Sequence, residues 1–352
     1  MLAIIKQWQE GSGCHTSNTD KYLLLMVFKM GLDSVVFHFC CRKLYMSFLS
    51  ICSLSILLAD LLMALCILIM WVVGAENSLV SLCLLLANAS AIYGALPLPM
   101  ICLGSLDYYL GNTWICNQSA TYRILRNLVL TLLVWVLASV YAFGSVKAEL
   151  MELDYVTGLK ALVCTVEESL LINYFILGLF TAVIFVMLPF WSRIPQWMQE
   201  ADRLSKLREE QENQMSDFVF TSSPCMETKT GEETFQYKSV CARPPLGVSL
   251  TLGFCVFWMP YLAVTVACLG FGFGVPAYIT VNLLWLECTN SLLAGVTFWV
   301  KSKKLGPYSH IPENVCLWHV YWHLSKGTQQ LQLPITMFSP SKGNENTVLC
   351  II

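Results

Sequence analysis

Seven long apolar stretches alternate with short polar segments along most of this 352-residue chain. A helix needs roughly 20 apolar residues to cross the ~30 Å hydrocarbon core of a bilayer. A chain in lipid must also satisfy its backbone hydrogen bonds internally, as a helix does. The pattern therefore predicts an all-α membrane protein with seven spanning helices. Their approximate ranges are 22–41, 45–73, 83–108, 126–146, 168–190, 246–271 and 276–300.

The charged residues of the connecting segments predict the orientation of the helices, because basic residues concentrate in short cytoplasmic loops. The loops on one side of the membrane carry the basic residues Arg42, Lys43, Arg123, Arg126, Lys301, Lys303 and Lys304. The loops on the other side are mainly acidic, with Glu76, Glu149, Glu152, Asp154, Glu167 and Glu168. We therefore expect residues 1–21 outside the cell and a membrane domain over 22–300. That domain includes a long cytoplasmic loop at 191–245, and a cytoplasmic tail follows at 301–352.

The composition agrees with a membrane protein, since 56% of the residues are hydrophobic and 12% are charged, with a mean hydropathy of +0.62. A soluble domain carries about 25% charged residues. The formal net charge is -2, and no basic run suggests binding to nucleic acid. Neither a nucleophile–base set nor a metal-ligand cluster is evident, so we expect neither an enzyme nor a cofactor. The spans show no internal repeat of the kind that transporters have.

Ionisable residues within the spans are candidates for function, because a mid-span carboxylate costs about 2.5–3.5 kcal/mol on insertion scales. Asp60 lies in the second span, and Asp107 lies near the end of the third. Lys29 and Asp33 stand four residues apart in the first span, which predicts an ion pair on one helix face. A ligand site at this pair, or a Lys29 side chain that extends toward the membrane interface, remain the alternatives.

Eight residues stand, within their spans and loops, where the rhodopsin-like (class A) G protein-coupled receptors have motif residues, and the chain resembles that family. They are Asp60, Cys83, Asp107, Trp135, Cys164, Phe254, Trp258 and Pro260. The resemblance covers nearly all of residues 20–305 and implies a rhodopsin-like seven-helix bundle in the plasma membrane. It also implies an extracellular ligand and, as transducer, a heterotrimeric G protein or an arrestin. A disulfide between Cys83 and Cys164 is implied as well, with two free thiols as the alternative.

The resemblance further implies a set of switch residues that link ligand binding to coupling. They are Asp60, Asp107, Tyr108, Tyr109, Phe254, Trp258, Pro260, Asn290, Ser291 and Phe298. Pro260 removes a backbone hydrogen bond and permits a kink, about which the inner half of the sixth helix would swing. Trp258 would lie on the floor of an outward-facing pocket, and the alternative is an aromatic residue that only packs.

A ligand pocket is expected at the outer mouth between the third, fifth, sixth and seventh helices. Its candidate residues are Tyr93, Asn173, Tyr174, Tyr261, Tyr278, Asn282 and Trp285. The acidic outer loop favours a cationic ligand, such as a basic peptide. A solvated loop without a partner fits the same sequence.

Three departures from the family pattern leave coupling open. Tyr108 stands where the family has an Arg that touches the G protein in the active state and restrains the sixth helix at rest. The motif of the seventh helix is also lost, with Ala294 and Phe298 at two of its positions. A coupling receptor and a non-coupling decoy, scaffold or arrestin-only receptor both remain possible. Arg123 and Arg126 are the candidates for a replacement basic contact.

Asp60 has two interpretations. The resemblance implies an allosteric sodium site, which Trp258 and Asn290 would help to line. Pro97 and Ala294 replace two oxygen ligands of that site, so we expect weak sodium binding or none. The alternative is a structural Asp that is protonated or bridged by water. Prolines 97 and 99 should also kink the third helix.

Overall fold

The computed structural model describes residues 1–9, 15–40, 47–73, 78–110, 120–146, 150–154, 159–220, 243–301 and 316–326. Several residues used above to predict orientation lie outside these ranges, namely Arg42, Lys43, Glu76, Glu149, Lys303 and Lys304. Parts of the predicted cytoplasmic loop at 191–245 and of the tail at 301–352 also lie outside them.

Each predicted span coincides with a helix or with a pair of helices. Five spans form single helices: α1 (Thr19–Cys40), α2 (Phe48–Val73), α5 (Ala120–Ser145), α6 (Leu170–Met187) and α8 (Leu246–Gly270). The other two are pairs of helices: α3 (Ser78–Ala95) with α4 (Pro97–Leu110), and α9 (Ala277–Thr280) with α10 (Leu283–Lys301). The break between α3 and α4 falls immediately before Pro97, because proline has no backbone N–H to continue the ladder.

Two further helices lie outside the predicted spans. A six-residue 3₁₀ segment, Leu188–Arg193, joins α6 to α7 (Ile194–Phe220), which extends well past the end of the predicted fifth span. The short helix α11 (Trp318–Lys326) lies in the predicted tail, within the aromatic run Trp318 to Trp322.

Within the described residues, six segments are long and apolar enough to cross a membrane. They are Phe48–Val72, Leu82–Tyr109, Thr121–Ser145, Leu170–Leu207, Leu246–Gly270 and Leu283–Val300. Large apolar side chains on the outer faces, such as Leu62, Val140 and Phe185, are exposed. The charged side chains Lys29 and Asp33 of α1 and Asp60 of α2, by contrast, are buried. This distribution is typical of a bundle surrounded by lipid and confirms the predicted helical membrane bundle.

A four-stranded antiparallel sheet closes one end of the bundle, and the all-α prediction did not include it. Its strands are β1 (Leu2–Gln9), β2 (His15–Ser17), β3 (Leu150–Asp154) and β4 (Leu159–Thr165), in the order β2-β1-β4-β3. Ala3 and Ile5 of β1 are fully buried, so this strand packs one face toward the helices. We call this end of the bundle the sheet end and the opposite end, where α4 finishes, the Asp107 end.

Candidate functional site

A buried group of polar side chains, here called the core cluster, joins α1, α2, α3 and α9. It comprises Lys29, Asp33, Asp60, Tyr93 and Tyr278. The Lys29 ammonium lies 2.7 Å from Asp60 Oδ1 and donates to the carbonyl oxygen of Tyr278 at 2.6 Å. The Tyr93 hydroxyl donates to the same Asp60 oxygen at 2.6 Å. Lys29 is 4% exposed and Asp60 is fully buried, so both charges are removed from solvent.

The Lys29 ammonium receives several compensating interactions for its loss of hydration. Its nitrogen lies 4.9 Å from the centre of the Tyr93 ring, which adds a cation–π contact to the ion pair. Burial of two ions costs several kcal/mol each, and close pairing with further hydrogen bonds offsets that cost. Lys29, Asp60 and Tyr93 therefore form a single unit that holds three helices together.

Asp33 forms its hydrogen bond with α10, whereas the predicted partner was Lys29 on the same helix, α1. Its Oδ1 accepts the backbone N–H of Leu283 at 3.2 Å, at the first residue of α10. A negative charge at a helix N-terminus is stabilised by the unpaired N–H groups there. The second carboxylate oxygens of Asp33 and Asp60 are buried, and within the described residues they have no hydrogen-bond partner.

The direct ion pair predicted between Lys29 and Asp33 is therefore not formed, although Lys29 still interacts electrostatically with Asp33, and the alternative of a Lys29 side chain at the interface is wrong. Lys29 pairs with Asp60 on a neighbouring helix. The i,i+4 rule identifies neighbours on one helix surface, whereas here the two side chains face the bundle interior, where partners on other helices compete. The partners that the structure shows for Asp60 are Lys29 and Tyr93, not Trp258 and Asn290.

At the Asp107 end, an ion pair joins α4 to α5. Arg126 Nη2 donates to Asp107 Oδ1, while Asp107 Oδ2 accepts the backbone N–H of Phe48 at 3.1 Å. Asp107 thus connects the last turn of α4 to the second turn of α5 and to the start of α2. Arg126 was one of two candidates for a basic contact that replaces the missing Arg of α4, and the structure pairs it with Asp107.

A second polar chain at this end runs inward from Tyr108. The Tyr108 hydroxyl donates to Asn290 Oδ1 on α10, and Asn290 Nδ2 donates to Glu287 Oε2 at 3.4 Å. Ser53 on α2 donates to Glu287 Oε1 at 3.3 Å. We call this set the Tyr108–Glu287 chain. It connects α4, α10 and α2 through the interior of the bundle.

Glu287 is a buried residue that the sequence reasoning did not consider. The rule applied to Asp60 would have found it, because Glu287 is also a carboxylate within an apolar span. Ser53 gave no signal of its own, since a serine in a helix can bond its own backbone, as it does here to the carbonyl of Leu49 at 3.0 Å.

Four of the predicted switch residues lie on α8 or near the end of α10. Phe254 and Trp258 are buried, and Pro260 lies within α8. The Trp258 ring is 6.5 Å from that of Tyr261, in an edge-to-face arrangement. Phe298, near the end of α10, packs edge-on against Trp322 of α11 at 5.2 Å between ring centres.

The remaining two switch residues behave differently. Ser291 is buried, and its hydroxyl lies 3.1 Å from the Cys316 thiol, just before α11. Tyr109 is 69% exposed on the outside of α4 and does not join the buried polar groups.

The predicted Cys83–Cys164 disulfide is present and holds β4 against α3 at the sheet end. Beyond it, the Ser90 hydroxyl donates to the Glu167 carbonyl and accepts the backbone N–H of Ala277 at 3.1 Å. The segment that follows β4 is therefore tied to α3 and α9. Tyr22 of α1 donates to the carbonyl of Ile4 at 3.1 Å, which attaches β1 to the same end.

The seven predicted pocket residues are not brought together as one exposed mouth. Tyr93, Tyr278 and Trp285 are buried, and Tyr93 belongs to the core cluster. Asn282 Oδ1 accepts the backbone N–H of Trp285 at 2.9 Å and so caps α10. Asn173 and Tyr261 are half-buried. Tyr174 is 70% exposed on the outside of α6, which places it away from the predicted pocket.

Part of the predicted acidic field is balanced by the chain itself. Asp154 lies 3.9 Å from Lys160 across the β3–β4 pair, and Glu168 lies 3.4 Å from the amino group of Met1. Glu152 is exposed on β3. Among the described residues, no group of three or more His, Cys, Asp or Glu side chains is arranged to hold a metal ion.

Comparison with known proteins gives two similar curated proteins, both named Probable G-protein coupled receptor 160. The protein from Rattus norvegicus is 23% identical over 289 residues, which cover 80% of this chain and 81% of the relative. The protein from Mus musculus is 26% identical over 237 residues, which cover 66% of this chain and 64% of the relative. No family model and no solved structure matches the chain. With the helical membrane bundle, these similarities make the chain a distant relative of the G protein-coupled receptors.

Proposed function

We propose that this chain is a plasma-membrane receptor that converts binding of an extracellular ligand into engagement of a heterotrimeric G protein. The N-terminus and the sheet end would face outward, and the Asp107 end would face the cytosol. The observation that carries the proposal is the ion pair between Arg126 and Asp107. It supplies from α5 the ionic contact that Tyr108, which carries no charge, does not make on α4.

The ion pair suggests how the receptor could have two states. In the resting state Arg126 is held by Asp107, and Tyr108 is bonded to Asn290. Movement of α8 about Pro260 would loosen the packing at this end and release Arg126 from Asp107. A free guanidinium at the cytosolic face could then contact the transducer in place of the missing Arg.

The ligand would act at the sheet end, where β4 and the segment after it are fastened to α3 and α9. A cationic ligand, such as a basic peptide, fits the acids there that extend into solvent, of which Glu152 is one. The acids that are already paired with Lys160 and Met1 contribute less to such attraction.

The second candidate function is a seven-helix decoy, scaffold or arrestin-only receptor. The observation that favours it is the position of Tyr108, whose hydroxyl is bonded inward to Asn290. In that case the bond between Arg126 and Asp107 would be permanent and would serve stability alone.

The test is G protein dissociation in cells across all Gα classes, comparing the native chain, Tyr108→Arg and an empty vector. Tyr109→Arg is the matched control, because it adds the same charge one residue away on the exposed face of α4. Basal activity of the native chain above vector is the expected result. Activity in Tyr108→Arg alone would favour the non-coupling alternative, and activity in neither would contradict coupling through this end.

A further inference from the structure

The short helix α11 lies in a cleft between α7, α8 and α10 at the Asp107 end of the bundle. Its side chains are unusually well buried for a segment after the last span. Trp318, Val320, Tyr321, Trp322 and Leu324 are each less than a tenth exposed. A helix that lay on the membrane surface would bury one face only, so α11 is enclosed by the bundle on several sides.

Two glycines of the bundle make room for the aromatic residues of α11. A Cβ atom added at Gly253 of α8 would lie 2.6 Å from the ring of Tyr321, and one added at Gly295 of α10 would lie 2.8 Å from the ring of Trp318. Neither distance is compatible with an intact contact, so any larger residue would force α11 to move. The fit depends on glycine at both positions.

Further contacts fix the depth of α11 in the cleft. Phe298 packs against Trp322, and the Cys316 thiol lies 3.1 Å from the Ser291 hydroxyl. Burial raises the pKa of the Tyr321 hydroxyl to about 12, and Asp202 of α7 and Cys255 of α8 are among the groups close to it. Tyr321 is therefore neutral at physiological pH, and its ring packs against Gly253 on the α8 wall.

We propose that α11 is an intramolecular plug that closes this cleft to a helix of a cytosolic partner. The plug consists of residues 316–326. The cleft lies beside α10, where Ser291 contacts the Cys316 thiol one residue after Asn290 of the Tyr108–Glu287 chain, so its occupant would limit the approach to that chain. A short helix with large apolar and aromatic side chains fills the cleft now, and the same chemistry in a partner would compete for it.

This inference rests on the proposed function in one respect, since a cytosolic partner requires the Asp107 end to face the cytosol. The occupation of the cleft by α11, however, can be tested without any transducer. Cys316 is fully buried on the plug, and Cys255 is half-buried on α8. Cys316 should become reactive toward a maleimide when the plug leaves, and the reaction of Cys255 should become faster.

The experiment measures alkylation of Cys316 and Cys255 by mass spectrometry in the purified full-length chain in detergent. Gly253→Ala and Gly295→Ala are the test variants, because each pushes α11 away without changing it. Gly247→Ala, also on α8, is the matched control, since nothing lies within 4 Å of a Cβ placed there. We expect at least a tenfold faster reaction of Cys316 in the test variants than in the native chain, a smaller rise for Cys255, and no change in the control.

Three results would overturn the plug. One is rapid alkylation of Cys316 in the native chain, which would mean that α11 is not docked. Another is equal rates in the test and control variants, which would mean that the fit at the two glycines does not hold it. The third is a reactive Cys316 beside an unreactive Cys255, which would mean that the cleft stays closed. If the thiols react as expected but no G protein is engaged, the plug is supported and only the proposed coupling is contradicted.

Discussion

Lys29 of α1 and Asp60 of α2 form a buried ion pair, with 2.7 Å between the ammonium nitrogen and the carboxylate oxygen. The pair lies at the centre of the core cluster, where the ammonium also donates to the carbonyl oxygen of Tyr278. Its effect on stability and its effect on ion binding can be measured separately.

Replacement of Lys29 by methionine should destabilise the bundle strongly. Lys29→Met removes the cation but leaves Asp60 buried and without its ion-pair partner, and breaking a buried pair in this way costs about 3–5 kcal/mol. The measurement is the Tm of the purified receptor, with surface expression as a second readout. In the double variant Lys29→Met with Asp60→Asn, at least half of the loss should be recovered. An unchanged Tm in the single variant would show that the ion pair contributes nothing.

Sodium should have no specific effect on the native chain. The Lys29 ammonium already occupies the position beside Asp60 that a bound cation would take. We therefore expect the same Tm in sodium chloride and in choline chloride at equal ionic strength. Lys29→Met provides the control, because the unpaired carboxylates could then bind sodium and raise the Tm in sodium chloride. A sodium-specific rise in the native chain would contradict the assignment.

Loss of the Cys83–Cys164 disulfide should reduce stability and surface expression. Removal of a native disulfide costs about 2–5 kcal/mol in small domains, and here it also frees β4 from α3. Cys83→Ser, Cys164→Ser and the double variant should give the same loss of Tm, because each removes the same bond. Cys102→Ser is the control, since Cys102 is a free, exposed thiol. Normal Tm and expression in Cys83→Ser would count against a stabilising bond.

Neutralisation of Arg126 should weaken the Asp107 end and lower basal coupling, because it removes both the ion pair with Asp107 and the guanidinium that is proposed to contact the transducer. The pair is partly exposed, at 27% for Arg126 and 14% for Asp107, so we expect a cost of about 1–2 kcal/mol, between the values for surface and buried pairs. The measurements are Tm and ligand-free G protein dissociation for Arg126→Gln. Arg123→Gln serves as the control on the same helix. Basal coupling that stays unchanged or rises in Arg126→Gln would contradict a contact between Arg126 and the transducer.

The helical part of this fold follows from the sequence, because the length of each apolar stretch alone decides whether it can span a bilayer. The sheet does not stand out in the same way. β1 and β4 are short, and the alternation of Leu2 to Gln9 has meaning only once a partner strand is known. The partner of Lys29 could not be predicted for a similar reason, because the approach of Asp60 on α2 depends on how the helices pack. Glu287, in contrast, could have been predicted as a functional candidate, because it is a carboxylate within an apolar span, as Asp60 is. It does not stand at a family motif position.

The pairing of β1 with β4 has a consequence for biosynthesis. Strand β1 is made before α1, yet its partner β4 is made only after α1 to α5 and β3. During that interval β1 can pair with β2, but the edge of β1 that faces β4 has no ladder to join. The sheet must therefore form late, near the time when Cys164 can reach Cys83. An oxidising folding compartment would then determine two things in one step: the closure of the disulfide and the docking of the amino-terminal strand.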